Sequence, residues 1–161
     1  MDRGKLLSVL AQHGVESIVV GGTAAVLNGA PISTFDLDLV YARTEENVER
    51  LFAALEELDA LFRGDPRRIA PDRSHLRTAG HKLLTTKHGP LDLLGSVEEN
   101  TSYEDLLPDV VWFEVAGVAV RVVSLERLIA IKEKLTREKD RAVMPVLRAT
   151  LDEQRRASAK R

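Results

Sequence analysis

From Thr34 to Tyr41 the chain alternates, placing Phe35, Leu37 and Leu39 on one side of an extended segment and Asp36 and Asp38 on the other. Period two predicts a strand. The two aspartates then share a face a few ångströms apart, where their mutual repulsion has to be offset. A hard divalent cation such as magnesium does this well, since it is commonly held by one or two carboxylates together with substrate phosphates. The bland alternative is an edge strand whose polar face carries acids by chance, so the neighbouring sequence must decide.

Upstream, Ser17 to Val20 is short, apolar and β-branched and runs into Gly21-Gly22, which predicts a buried strand ending in a tight turn, with a short helix over Thr23 to Leu27. A first helix precedes Gly14, its apolar positions Leu6, Leu7, Val9 and Leu10 recurring at helical spacing. Thr44 caps a helix whose stripe is Val48, Leu51, Phe52, Leu55 and Leu58. Residues 63 to 79, with Pro66, Pro71 and five arginines, predict a surface loop. These arginines suit either solvent or the phosphates of an acceptor RNA. Lys82 to Thr86 and Leu91 to Leu94 flank a turn and predict a hairpin, as do Val110 to Val115 and Val118 to Val123 around Ala116-Gly117. Ser124 caps a further helix, and Pro145 predicts a break or kink in the helical stretch that follows.

The domain expectation is one unit, with a core over residues 1–123, a helical C-terminal extension over 124–155 and an unpacked tail over 156–161. At 161 residues, two ordinary domains would be cramped. A formal charge of -2 gives no strong global field, so a polyanionic partner has to be held by a local patch. The absence of cysteine excludes disulfides, thiolate metal sites and a cysteine nucleophile. No long apolar stretch predicts a membrane span or a signal peptide, and the expected location is the cytoplasm. The four histidines lack metal-ligand spacing.

Two further features bear on Asp36 and Asp38. Strand, Gly21-Gly22 and helix together can offer backbone N–H groups to a phosphate, although the same residues also make an ordinary strand-to-helix turn. A Walker loop and a dinucleotide fingerprint are both excluded by the spacing. Asp92 interrupts the apolar run Leu91-Asp92-Leu93-Leu94, where an unpaired acid would be costly. If its strand lies beside that of Asp38, three carboxylates converge in a way that suits metal-assisted phosphoryl or nucleotidyl transfer.

In their order, Val19-Val20-Gly21-Gly22-Thr23-Ala24-Ala25, Asn28-Gly29-Ala30-Pro31, Thr34-Phe35-Asp36-Leu37-Asp38-Leu39 and the later Asp92 resemble the nucleotidyltransferase superfamily that includes DNA polymerase beta. The likeness is strongest to small bacterial members related to abortive-infection and toxin–antitoxin nucleotidyltransferases, and it extends through Ser124 to Lys132 and Arg137-Glu138-Lys139-Asp140. It implies an α+β nucleotidyltransferase fold, with a mixed sheet of about five strands packed with helices. It further implies that Asp36, Asp38 and Asp92 are catalytic and hold magnesium or manganese, while Gly21, Gly22, Thr23 and Lys132 bind the nucleoside triphosphate, Lys132 being oriented by Asp140. The expected reaction moves a nucleoside monophosphate to a hydroxyl on a protein, an RNA or a small molecule. A cognate toxin or antitoxin is a further expected partner. Such proteins often carry Arg where Ile32 stands and a second Asp where Val143 stands. These departures are the mark of the alternative, a catalytically inactive nucleotide-binding or antitoxin-like module.

Overall fold

The computed structural model describes residues 2–98, 100–135 and 137–159. Helix α1 (Arg3–Gln12) leads into strand β1 (Ser17–Val20), helix α2 (Gly21–Leu27) and strand β2 (Leu37–Tyr41). Helix α3 (Glu45–Glu57), the two-residue strand β3 (Leu61–Phe62) and the short helix α4 (Arg73–Arg77) follow. The hairpin of β4 (His81–Thr86) and β5 (Gly89–Leu94) comes next, then α5 (Tyr103–Leu106), the hairpin of β6 (Val110–Val115) and β7 (Val118–Val123), and helices α6 (Leu125–Glu133) and α7 (Glu138–Ala159).

All the strands join one mixed sheet in the order β3-β4-β5-β2-β1-β7-β6. Among the described residues the sheet has seven strands, not about five, because β3 extends the β4 edge and β7 brings the second hairpin alongside β1 in parallel. Central β1 and β2 carry the core, with Ile18, Val19, Leu37, Leu39 and Val40 almost wholly removed from water. Each such side chain contributes about 1.5–3 kcal/mol of transfer free energy, which holds the strands that carry the acids. Asn47, also fully buried, accepts from the Glu16 N–H at 2.7 Å and donates to the Ala42 carbonyl at 2.6 Å, tying the start of β1 to the end of β2.

Three differences from the sequence reading have physical causes. Strand β2 begins at Leu37, not Thr34, and Phe35 is 81% exposed instead of facing the core. The partner β1 ends at Val20, opposite Asp38, so residues before Leu37 have no antiparallel ladder to join. The Asp36 carbonyl accepts instead from the Thr23 hydroxyl at 2.8 Å. Pro145 lies inside an unbroken α7, on its exposed side, where water can reach the carbonyl left without a donor. The expected tail is helical through Ala159, with exposed side chains, as a continuation of the packed part of α7; Lys160 and Arg161 lie outside the described residues. Within the expected surface loop, Asp72 and His75 form a reciprocal cap that starts α4. No helix among the described residues is long and apolar enough to cross a membrane.

Candidate functional site

Strands β2 and β5 run parallel with Asp38 directly opposite Asp92, so both carboxylates stand on one face of the sheet. Leu37, Leu39, Leu91 and Leu93 on the other face are fully buried, and this fixes the register: a slip of one residue would drive both acids into the core. Asp36 lies one residue outside β2. Its backbone is held by Thr23, which is itself 2% exposed.

Burial first, then the neighbouring Asp92 carboxylate and Asp36, push the Asp38 carboxyl up to about 7, and Lys139 offsets part of this. Asp92 in turn accepts from the Arg63 guanidinium at 2.6 Å. Among the described residues no three acidic or histidine side chains are gathered closely enough to enclose a metal ion. The structure therefore brings Asp38 and Asp92 together, while Asp36 stands at the entrance to β2. The donors are all carboxylate oxygens, which suits a hard divalent cation with part of its coordination shell left to a ligand.

Gly21 explains how Asp38 can be there at all. Gly21 has φ +65°, and a Cβ on it would lie 2.2 Å from Asp38 Oδ2. A Cβ on Gly22 would lie 2.7 Å from Thr34 Oγ1. The missing side chains thus make room for groups of the chain itself, a reason for the glycines beside the phosphate contact that the sequence suggested.

Gly21, Gly22, Asp36 and Asp38 line a cleft of about 460 Å³, together with Lys132 of α6, Asp140 and Lys139 of α7, and Arg137 just before α7. Ile32, Leu128, Ile131 and Val143 give it apolar walls. Thr23 and Asp92 do not line it; Thr23 acts on Asp36, and Asp92 borders Asp38. Lys132 Nζ donates to Asp140 Oδ1 at 2.9 Å, and Arg137 Nε to Asp140 Oδ2 at 2.8 Å. Burial, which would raise the pKa of Asp140, is outweighed by the hydrogen bonds and charges of Lys132 and Arg137, so the carboxyl sits below its ordinary value. A second cavity of about 370 Å³, lined by Tyr41, Arg43, Thr44, Arg77 and Ser102 among others, contains none of the residues expected to hold the metal or the nucleotide.

Sequence reasoning missed two residues of this neighbourhood in their observed roles. Lys139 was legible only as part of the Arg-x-Lys-Asp resemblance. Arg63 stood among loop arginines, and no local spacing connects it to an acid 29 residues away. Three other loop arginines are paired, Arg67 with Asp65, Arg73 with Glu49 and Arg77 with Glu45.

No family model and no curated protein matches the sequence. Among solved structures, the chain is similar to the lincosamide antibiotic adenylyltransferase LnuA with lincomycin bound, at TM-score 0.63 and 15% identity over 93% of this chain and 98% of that one. It is similar to ANT(2'')-Ia in complex with adenylyl-2''-tobramycin, at TM-score 0.59 and 16% identity over 94% and 88%. A Thermotoga maritima protein assigned as a nucleotidyltransferase matches at TM-score 0.54 and 21% identity over 95% and 96%. The chain has the nucleotidyltransferase fold.

Proposed function

We propose that this protein is an enzyme that moves a nucleoside monophosphate from a nucleoside triphosphate to a hydroxyl of a small molecule, releasing pyrophosphate. One observation carries the reading: Asp36 and Asp38 share a cleft with Lys132, Arg137 and Lys139. A triphosphate joined to a divalent cation presents both signs of charge at once, and a cleft with both acidic and basic groups complements it.

In this reading Asp36, Asp38 and Asp92 would hold magnesium or manganese, which would supply charge neutralisation for the phosphates and the departing pyrophosphate. Gly21 and Gly22 offer backbone N–H groups to the triphosphate, and Thr23 keeps the Asp36 backbone in place. Lys132 sets a point charge against phosphate, its ammonium oriented by Asp140. Asp92 takes the proton of the acceptor hydroxyl as that oxygen attacks the α-phosphorus in line. The bond from the α-phosphorus to the bridging oxygen breaks, and the pyrophosphate leaves with the electron pair.

A small-molecule acceptor is favoured over RNA because Arg67, Arg73 and Arg77 already have carboxylate partners. The structures of LnuA and ANT(2'')-Ia, with an antibiotic or its adenylylated product, support the same choice. A second reading draws on Ile32 and Val143, which make the cleft apolar where related proteins often carry Arg and Asp. It is a nucleotide-binding or antitoxin-like partner module without turnover. Triphosphates labelled at the α-phosphate, offered with magnesium and a panel of lincosamides, aminoglycosides, RNA ends and proteins, separate the two. Label passing to a small molecule is the expected result; tight nucleotide binding with no transfer to any acceptor favours the module.

A further inference from the structure

Arg63 belongs to none of the elements that carry the acids. It follows β3, and its backbone N–H donates to the Leu83 carbonyl at 2.9 Å, which fastens it to the β4 edge. From there a single guanidinium nitrogen, Nη2, donates to the Leu84 carbonyl at 2.8 Å and to Asp92 Oδ1 at 2.6 Å. Leu84 pairs with Leu91, the residue before Asp92, so the carbonyl that anchors the guanidinium is fixed relative to β5 by the strand ladder itself. The Asp92 side chain is only 14% exposed and that of Arg63 31%, so water competes weakly for this contact. Charge-assisted contacts of this length are among the stronger hydrogen bonds and hold a carboxylate in one orientation.

We propose that Arg63 is a positioning residue for Asp92, tying one carboxylate oxygen to strand β4 so that Asp92 keeps the rotamer that faces Asp38. What Asp92 does there rests on the transferase reading above; how it is held rests on geometry alone. Asp92 sits on β5 between β4 and β2, and Arg63 reaches it from the β4 side while Asp38 borders it on the other. The residue therefore acts on a reacting group without entering the cleft, which it does not line.

The test compares Arg63→Met, which keeps length and loses the donors, with Arg63→Lys, which keeps the charge on a single donor nitrogen. Three measurements apply to both: the Asp92 rotamer in a crystal structure, the affinity for manganese alone by electron paramagnetic resonance, and kcat and KM for α-label transfer. For Arg63→Met the expected outcome is an Asp92 carboxylate turned away from Asp38 and weaker manganese binding. A kcat lower by roughly tenfold to a hundredfold is also expected, the scale of a slightly misplaced reacting group, with little change in the KM for triphosphate. Arg63→Lys recovers part of the loss. In the Asp92→Asn background Arg63→Met costs nothing further, since the two act as one unit. An unmoved Asp92 with unchanged manganese affinity overturns the proposal, as does a fall in kcat that persists undiminished in the Asp92→Asn background. Should Arg63→Met fail to fold, Arg63→Lys decides by the same three measurements. Should the wild type transfer to no acceptor, the transferase reading falls, and the rotamer and the manganese affinity still decide the role of Arg63.

Discussion

At Asp38, burial, the Asp92 carboxylate and Asp36 all favour the protonated form and hold the group near 7, against 3.8 for an ordinary aspartate. Between those two values the folded chain binds a proton that the unfolded chain does not, so this group removes stability as pH rises from about 4 to about 7. Below that window the penalty is absent, and above it the penalty is complete. A divalent cation held by the same carboxylates offsets the repulsion only where they are ionised. Magnesium should therefore raise the melting temperature clearly at about pH 8 and hardly at about pH 5.5, and Asp38→Asn should abolish the difference. A rise of equal size at both pH values, followed by calorimetry, would contradict the site. The pair Asp36 and Asp38 was readable from two residues of spacing. The approach of Asp92 to Asp38 was not, because it depends on a register between strands far apart in sequence. The glycines were readable as a turn, but the reason for Gly21 was not: it lies in the fold, which sets the Asp38 carboxylate where a Gly21 Cβ would be.

Helices α6 and α7 bring the basic groups to the cleft through a single buried carboxylate. Asp140 is 1% exposed and is shared by Lys132, whose side chain is 13% exposed, and Arg137, at 68%. Removing the more buried partner leaves the acid with a solvent-facing one. Lys132→Met should destabilise the fold by about 3 kcal/mol, at the lower end of the cost of breaking a buried pair because Arg137 remains. Triphosphate affinity should fall in parallel. Lys132→Arg should restore most of the stability and less of the affinity, because a planar fork replaces a point charge. Urea midpoints and nucleotide titrations measure the two effects; loss of affinity in Lys132→Met with an unchanged midpoint would show that the pair with Asp140 holds nothing together. The caps of these elements were local and therefore legible: Thr44 and Ser124 each accept from the N–H three residues on, as their sequence positions suggested. Strand β3 and helix α5 were not, since a two-residue strand and a four-residue helix have no period to detect.

Across the whole molecule, the parallel pairing of β2 with β5 brings together residues that local pattern could only nominate. Asp92 was flagged because an acid stood in an apolar strand, and the fold supplies the reason it is tolerated beside Asp38: the Arg63 guanidinium on its other side. The order of strands and the union of both hairpins in one sheet are long-range facts that no window of sequence contains. In the proposed reading the three acids have different tasks, and that difference is testable. Asp36 and Asp38 line the cleft and would meet the cation that arrives with the triphosphate, whereas Asp92, which would complete the metal site from beside them, would also act on the acceptor hydroxyl during transfer. Asn at position 92 keeps size and some hydrogen bonding but cannot take up the proton, so Asp92→Asn should bind triphosphate nearly as well as wild type. Its transfer should fall by roughly a hundredfold or more, the scale on which losing one preorganised electrostatic group acts. Asp36→Asn and Asp38→Asn should instead lose magnesium-dependent binding together with transfer, because binding and turnover share those ligands. Calorimetry with and without a chelator, paired with α-label transfer for the four proteins, reads both quantities. Equal triphosphate binding in excess chelator would remove the cation from the account, and an Asp92→Asn protein that transfers at the wild-type rate would remove Asp92 from the chemistry.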